Sequence, residues 1–242
     1  MSRLDQLLVE RGLFPSREKA RRAVMAGVVE VDGRVVDKPG TPTGTQCELR
    51  VREPAEPFVS RGGRKLDHAL ETFGLDVSGR LCMDVGASTG GFTDCLLQRG
   101  ARRVVAVDVG YGQLDLGLRE DPRVVVMERC NARHLAPDAL EEPCSLVVMD
   151  VSFISLAKVV PAVLPHLTAD GLLLPMIKPQ FEAGRELVGK GGVVRDEEVR
   201  RRVVERTVER LAALGLELRG TCDAPIHGPR GNLETFALLV KR

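Results

Sequence analysis

The chain has 242 residues, of which 43% are hydrophobic and 29% are charged. This is the composition of a globular protein with room for one large domain or for a small and a medium one. The 35 basic residues nearly balance the 34 acidic ones, so net charge alone indicates no nucleic-acid partner. No apolar run approaches the roughly 20 residues that span a bilayer, and the first residues lack the apolar core of a signal peptide. We therefore expect a cytoplasmic protein with no membrane partner.

The first 52 residues predict a small α+β domain. Leu4, Leu7 and Leu8 share one face of a helix that ends at Gly12, and Ser16 is the predicted N-cap of a second helix that ends at Gly27. Strands are predicted at 28–31 and 34–36 on either side of Asp32-Gly33, a dipeptide typical of hairpin turns. A further strand is predicted at 47–51.

The second helix concentrates basic side chains, namely Arg17, Lys19, Arg21 and Arg22. A solvated helix face would account for these charges alone. However, the run S-R-E-K-A-R-R-A-V-M-A-G-V-V-E-V-D-G-R-V-V, from this helix into the hairpin, resembles the alpha-L RNA-binding motif. The resemblance implies that the four cations grip an RNA backbone, whose phosphates dominate affinity.

A proline-punctuated stretch separates this domain from the rest of the chain. Glu53-Pro54-Ala55-Glu56-Pro57 has the composition of a linker. We therefore predict three regions: an RNA-binding domain at 1–52, a linker at 53–59 and a second domain at 60–242.

The second domain alternates predicted helices and apolar strands. Helices are predicted at 65–73, 91–99 and 196–214, with an irregular segment at 156–167 because Pro161 and Pro165 interrupt it. Strands are predicted at 81–85, 104–108, 124–127, 146–150, 172–177, 216–218 and 235–240. This order predicts an α/β, Rossmann-like fold with a mostly parallel seven-stranded sheet covered on both faces.

The loop after the first of these strands, Gly86-Ala87-Ser88-Thr89-Gly90, allows three interpretations. It matches G-x-S-x-G, the nucleophile elbow of serine hydrolases, for which Asp150 followed by His166 or His227 supplies the required order. It could instead be a nicotinamide-binding loop, although Ser88 stands where G-x-G-x-x-G needs glycine. The third interpretation is a site for S-adenosylmethionine.

The third interpretation rests on polar residues at successive strand ends. Asp84 ends the first strand and Asp108 the second, where a carboxylate can accept hydrogen bonds from ribose hydroxyls. Asn131 follows the third strand, where its amide can meet an adenine edge. Carboxyl ends of parallel strands lie on one sheet edge, so we expect these three residues to converge on one ligand.

Six further segments carry a resemblance over nearly the whole chain. They are F-V-S-R-G-G-R-K-L, D-V-G-A-S-T-G-G-F-T-D, V-A-V-D-V-G-Y-G-Q-L, D-V-S-F-I-S-L, I-K-P-Q-F-E and G-P-R-G-N-L-E. Together they resemble the TlyA family, often labelled hemolysin A. The resemblance implies a ribosomal-RNA 2′-O-methyltransferase with an FtsJ-like catalytic domain, acting on ribosomal subunits, with cytidine as the modified nucleotide.

The resemblance also implies functional residues. The FtsJ-like tetrad Lys, Asp, Lys, Glu falls on Lys65, Asp150, Lys178 and Glu234. The cofactor-binding residues are predicted to be Asp84, Gly86, Ser88, Thr89, Gly90, Phe92, Asp108, Asn131 and Ala132. Arg61 and Arg64 are added to the predicted RNA-binding residues.

The chemistry explains why such a tetrad is needed. A ribose 2′-hydroxyl is a poor nucleophile and must lose its proton as it attacks the methyl group of a sulfonium. Lys178 is the candidate general base and Lys65 its neighbour, because burial beside a second cation favours a neutral lysine. Asp150 and Glu234 are expected to hold the two ammonium groups, and the reaction needs no metal. A non-catalytic RNA-binding or ribosome-assembly factor and a membrane-lytic hemolysin remain as alternatives.

Overall fold

The structure, a computed structural model, describes residues 2–25, 27–52, 57–189 and 191–242. The chain divides into two compact units, Met1–Pro57 and Phe58–Arg242. Residues 53–56 of the predicted linker lie outside the described residues. Phe58, which the sequence assigns to the linker, is buried in the core of the second unit.

The first unit combines helices with short antiparallel strands, which form a two-stranded and a three-stranded sheet among the described residues. The helices are α1 (Leu4–Glu10) and α2 (Arg17–Met25). The strands are β1 (Ser2–Arg3), β2 (Val29–Val31), β3 (Arg34–Val35), β4 (Pro42–Thr43) and β5 (Leu49–Val51). In the described residues β1 pairs with β4, and β3, β2 and β5 form one sheet in that order. The core consists of Leu4, Leu8, Ala20, Val24 and Val29.

Local signals in this unit behave as the sequence predicts. The Ser16 Oγ accepts a hydrogen bond from the Lys19 N–H at 3.3 Å, which confirms the predicted cap of α2. Asp32 and Gly33 both have positive φ, 51° and 76°, as the predicted two-residue hairpin turn requires.

The second unit alternates strands and helices. Its strands are β6 (Leu81–Val85), β7 (Arg103–Val107), β8 (Val124–Met127), β9 (Cys144–Met149), β10 (Leu167–Ile177), β11 (Leu216–Asp223) and β12 (Thr235–Lys241). Its α-helices are α3 (Arg61–Thr72), α4 (Gly91–Gln98), α5 (Leu116–Arg119), α6 (Val160–Val163), α7 (Pro179–Glu182) and α8 (Glu197–Ala212). Short 3-10 turns flank α6, which confirms the predicted irregularity at 156–167.

In the part of the chain that the structure describes, these strands form one seven-stranded sheet in the order β11-β12-β10-β9-β6-β7-β8. The pairs from β10 through β9, β6 and β7 to β8 are parallel, and β12 is antiparallel to both β10 and β11. Buried apolar clusters cover both faces of the sheet. The predicted mostly parallel, Rossmann-like fold is confirmed.

The start of α3 differs from its prediction. The helix was expected to begin at Lys65 but begins at Arg61, so Lys65 lies in its second turn. Gly62 and Gly63 have low helix propensity, so the sequence did not predict helix at the first turn of α3. A Cβ atom at Gly63 would lie 2.3 Å from the Phe58 ring, so tertiary packing accounts for glycine there.

Candidate active site

The parallel register brings the predicted polar residues to one edge of the sheet. Val85 at the end of β6 is paired with Val107 on one side and Met149 on the other. Asp108 and Asp150 are the next residues after those partners, and Lys178 directly follows β10. Four neighbouring strands therefore deliver Asp84, Asp108, Asp150 and Lys178 to the same carboxyl edge, where α/β proteins bind ligands.

The loop after β6 has a glycine-like backbone at three alternate positions. Gly86, Ser88 and Gly90 have φ values of 87°, 48° and 96°. A Cβ at Gly86 would lie 2.6 Å from the Asp150 carbonyl oxygen, and one at Gly90 would lie 2.3 Å from Leu118 Cδ1. Ser88 thus keeps the left-handed conformation that favours glycine, the residue that other nucleotide-binding loops have at this position.

Asp84 is wholly buried beneath this loop. Its Oδ2 accepts hydrogen bonds from the Thr93 N–H at 2.9 Å and the Thr93 hydroxyl at 2.7 Å. Its Oδ1 has no hydrogen-bond partner among the described residues. Burial is the main cause that raises the pKa of Asp84 to about 7, and the nearby charges of Asp150 and Asp108 act in the same direction.

Asp108 braces the glycine loop from the next strand. Its Oδ2 accepts a hydrogen bond from the Ser88 N–H at 2.8 Å, and its Oδ1 accepts one from the Gly110 N–H at 2.6 Å. Asn131 also has a local partner, because its Oδ1 accepts from the Arg133 N–H at 3.1 Å. These contacts hold both side chains in place. The amide NH₂ group of Asn131 takes no part in them and can still act as a hydrogen-bond donor.

The four predicted tetrad residues form two ion pairs. Lys178 Nζ pairs with Asp150 Oδ1, and Lys65 Nζ pairs with Glu234 Oε2. Lys178 Nζ also donates a hydrogen bond to the Ser152 hydroxyl at 2.8 Å. Lys65 and Glu234 are 7% and 2% exposed, so this pair is the more deeply buried of the two.

Two adjoining cavities meet at the glycine loop. The first, here called the lysine cavity, has a volume of about 420 Å³ and is lined by all four tetrad residues together with Ser60, Arg61, Asp84, Thr89, Phe92, Arg230 and Asn232. The second, the Asp108 cavity, has a volume of about 400 Å³ and is lined by Asp108, Val109, Asn131 and Ala132. Both share Gly86, Ser88, Asp150, Ser152 and Phe153. One elongated ligand could therefore pass beneath the loop.

Two predicted residues stand apart from these cavities. In the described part of the chain Gly90 and Arg64 line neither of them. Gly90 instead faces Leu114 and Leu118, so it permits close packing of the loop.

The nucleophile-elbow interpretation requires a histidine near Ser88. Histidine is absent from the described linings of both cavities, and Ser88 Oγ lies 3.5 Å from Gln113 Oε1. The nucleophile-elbow interpretation therefore lacks the base that it needs.

The sequence did not single out the loop that supports Lys178. Glu182 is 8% exposed, and accepts hydrogen bonds from the Ser155 hydroxyl and the Leu156 N–H, both at 2.7 Å. Burial raises its pKa above the ordinary value. Ser152 and Phe153 belong to the same loop, and the Phe153 ring, 84% exposed, packs on Phe181 with centroids 4.9 Å apart. All of these residues belong to the segments D-V-S-F-I-S-L and I-K-P-Q-F-E, which also contain Asp150 and Lys178. Their position beside tetrad residues is the sequence signal that could have identified them.

The basic residues of α2 lie on the surface of the first unit. Arg17, Lys19, Arg21 and Arg22 are all exposed. Arg22 pairs with Glu18 on the same helix at 2.7 Å, and Arg17 donates to the buried Asp5 at 3.0 Å. Separately, no helix among the described residues is both long enough and apolar enough to cross a bilayer.

Fold and site together define a Rossmann-like methyltransferase preceded by a small RNA-binding domain. Residues 58–241 match the FtsJ-like methyltransferase family, and residues 2–44 match the S4 domain. The chain belongs to the TlyA family of FtsJ-like methyltransferases, as the sequence resemblance predicted.

Three relatives illustrate that membership. The chain is 49% identical to the 16S/23S rRNA (cytidine-2′-O)-methyltransferase TlyA of Mycobacterium tuberculosis, over 98% of this chain and 89% of that protein. It is 39% identical to Hemolysin A of Brachyspira hyodysenteriae, over 98% and 99%. A solved structure of a protein described as a hemolysin, from Streptococcus thermophilus, superposes with a TM-score of 0.76 at 44% identity, covering 99% of this chain and 88% of that one.

Proposed function

We propose that this protein transfers the methyl group of S-adenosylmethionine to the 2′-hydroxyl of a cytidine in ribosomal RNA. The observation that carries the proposal is the pair of lysine–carboxylate contacts, Lys178 with Asp150 and Lys65 with Glu234, on the wall of one cavity beside the glycine loop. The activity named for the M. tuberculosis relative, a cytidine-2′-O-methyltransferase, supports both the 2′-oxygen and cytidine.

The residues around the loop suit S-adenosylmethionine. Gly86 lines both cavities, and its lack of a side chain lets the loop pack closely on the Asp150 carbonyl beside them. Asp84 keeps one buried carboxylate oxygen that has no hydrogen-bond partner among the described residues, beside a cavity that would receive a cationic ligand. Asp108 and Asn131 would hold the nucleoside end in the second cavity. When bound, the cofactor would supply a methyl group carried by a sulfonium sulfur, and loss of that methyl group would leave a neutral thioether.

Lys178 is the proposed general base. In its neutral form its Nζ takes the proton of the 2′-hydroxyl as the ribose oxygen forms its bond to the methyl carbon. The resulting ammonium keeps its ion pair with Asp150. The Ser152 hydroxyl, 2.8 Å from Nζ, fixes the direction of the amine. Because a general base must lie within hydrogen-bond reach of its proton, this positioning sets the geometry of the step.

Lys65 and Glu234 are proposed to position the substrate oxygen. Lys65 can donate to that oxygen through an N–H that Glu234 does not use, since an ammonium has three donors. Glu234 neutralises the buried charge. Orientation of the attacking oxygen then contributes most of the remaining rate.

The first unit is proposed to bind the RNA. Its exposed cations on α2 are those that the alpha-L resemblance implies, and the match to the S4 domain supports the assignment. Phosphate contacts of this kind position a protein on RNA without reading its sequence.

The test is transfer of labelled methyl from S-adenosylmethionine to unmodified small and large ribosomal subunits, with Lys178→Ala and Lys178→Arg run beside the wild type. We expect the label to map to a cytidine ribose and to fall at least about 100-fold in both variants, the usual scale of general-base catalysis. Full activity of Lys178→Ala would overturn the assignment of the base. Absence of cofactor binding by the wild type would overturn the methyltransferase function and favour a non-catalytic RNA-binding factor.

A further inference from the structure

Asp5 is a buried carboxylate in the first unit. It lies in the first turn of α1 and is 1% exposed. Its oxygens accept hydrogen bonds from two arginines: from Arg3 Nε at 3.1 Å and Nη2 at 3.2 Å, and from Arg17 Nε at 3.0 Å. The side chains of Arg3 and Arg17 are nevertheless 49% and 53% exposed. One hidden carboxylate therefore holds two guanidinium groups that face solvent.

The two arginines come from different elements and meet at Asp5. Arg3 belongs to β1, whereas Arg17 begins α2. Both donate to the same oxygen, Asp5 Oδ2, so their guanidinium groups are neighbours. Arg17 uses only Nε in this contact, which leaves both terminal NH₂ groups of its guanidinium as donors.

Arg3 is fixed from a second side. Its guanidinium lies over Gly40, where an added Cβ would be 3.0 Å from Nη1 and 3.2 Å from Nη2. The backbone around this seat is itself held, because the Asp5 N–H donates to the Pro39 carbonyl and the Leu4 N–H to the Thr41 carbonyl, each at 3.0 Å. Gly40 thus provides the space in which Arg3 is aligned.

The arrangement sets two physical effects in opposition. A carboxylate beside two arginines lowers the positive charge that an RNA backbone meets, which should weaken binding. The same carboxylate orders two flexible side chains before RNA arrives, which removes an ordering cost from binding. Because Asp5 is buried while the arginines are half-exposed, its charge lies behind theirs with respect to an approaching ligand.

We propose that Asp5 is a positioning residue for RNA binding, which aligns Arg3 and Arg17 as a two-arginine clamp for a backbone phosphate. The proposal rests on the RNA-binding role proposed above and adds Arg3 to the predicted contacts. Arginine suits this task because its planar fork matches phosphate oxygens in a bidentate manner.

The test compares two variants of the full chain that each remove one negative charge from the first unit. Asp5→Asn removes the carboxylate that aligns the clamp. Glu18→Gln, the matched control, removes an exposed carboxylate whose partner is Arg22 on the same helix. Affinity for unmodified ribosomal-RNA transcript is measured by filter binding over a series of salt concentrations.

We expect Asp5→Asn to weaken binding about 10-fold although it makes the protein more positive, and to reduce the slope of log K against log salt by about 1, the equivalent of one lost phosphate contact. Glu18→Gln should leave affinity unchanged or raise it. Equal or tighter binding by both variants would show that only charge matters and would overturn the clamp.

A second variant keeps the proposal testable if Asp5→Asn does not fold. Gly40→Ala changes no charge and has no positive φ to strain, but displaces the Arg3 guanidinium. We expect it to weaken binding several-fold with methyl transfer to saturating RNA retained. Unchanged affinity of Gly40→Ala would count against the clamp. A wild type that binds no ribosomal RNA would instead refute the proposed function itself.

Discussion

Lys65 and Glu234 lie 169 residues apart in the sequence and form a buried ion pair. Lys65 projects from the second turn of α3, and Glu234 stands immediately before β12. The pair therefore links the first helix of the second unit to its last strand, and its ends meet on the wall of the lysine cavity.

Breaking this pair from one side should destabilise the second unit. Lys65→Met leaves the Glu234 carboxylate buried without its partner, a change that typically costs about 3–5 kcal/mol. The double variant Lys65→Met with Glu234→Gln removes both charges and should recover most of the lost stability. Urea unfolding of the single and double variants measures the difference.

Methyl-transfer activity of the same variants distinguishes a role of this ion pair in the reaction from a role in stability alone. If Lys65 positions the substrate oxygen, the double variant should remain inactive although its stability returns. A double variant that regained activity along with stability would show that the pair serves only the fold.

The sheet could be predicted from the sequence because its strands are short apolar runs that end in polar residues. The predicted bounds 81–85 and 124–127 agree with β6, which contains Asp84, and with β8. The predicted tetrad was named from residue types in family context. The partners within it did not, because contacts such as Lys65 with Glu234 depend on how distant strands are ordered in the sheet.

Buried acidic residues that position their neighbours could not be predicted from the sequence. Glu182 and Asp5 carry no sequence signal of burial, since acidic side chains are mostly exposed. Only the packing around them shows that each organises its neighbours. The beginning of α3 was missed for a related reason, because two glycines that tertiary contacts require also lower the local helix propensity.

The glycine loop should tolerate change at Ser88 and not at Gly86. Ser88→Gly places glycine at a φ of 48° that favours it, so we expect unchanged or slightly higher stability. Gly86→Ala would bring a methyl group 2.6 Å from the Asp150 carbonyl at a φ of 87°. We expect it to abolish cofactor binding and to destabilise the fold by about 1–3 kcal/mol. Urea unfolding of both variants measures stability, and calorimetric titration with S-adenosylmethionine measures cofactor affinity. Cofactor affinity preserved in Gly86→Ala would show that the close approach of Gly86 to the Asp150 carbonyl does not shape the cofactor site.

The buried carboxyl of Asp84 predicts a pH effect on stability. Its pKa is about 7 in the folded protein and 3.8 is the ordinary value, so between these pH values the folded state binds more protons than the unfolded state. Stability should therefore fall as pH rises toward 7. Asp84→Asn removes the group that titrates, while its amide oxygen can still accept the Thr93 hydrogen bonds.

The free energy of unfolding of Asp84→Asn relative to wild type should consequently rise by roughly 2–3 kcal/mol between pH 5 and pH 8, at 1.36 kcal/mol per pH unit. Urea unfolding at a series of pH values measures it. A difference that stayed constant over this range would mean that Asp84 is ionised throughout.

Glu182 is expected to control activity through the loop that it anchors. It accepts hydrogen bonds from Ser155 and Leu156, and Ser152, which receives a hydrogen bond from Lys178, lies three residues before Ser155. Glu182→Ala leaves the buried Leu156 N–H without its acceptor, which costs about 1–3 kcal/mol. The released loop should lower kcat about 10–100-fold.

Glu182→Gln should have a smaller effect, because its amide oxygen can still accept from the Leu156 N–H while the Ser155 hydroxyl turns to accept from the amide NH₂ group. Glu186→Ala, at an exposed position four residues along, is the matched control and should change neither stability nor kcat. Hydrogen exchange at 152–156, measured beside kcat and KM, distinguishes a loosened loop from a general loss of fold. If Glu182→Ala kept full kcat while exchange at 152–156 increased, the order of this loop would not govern the position of Lys178.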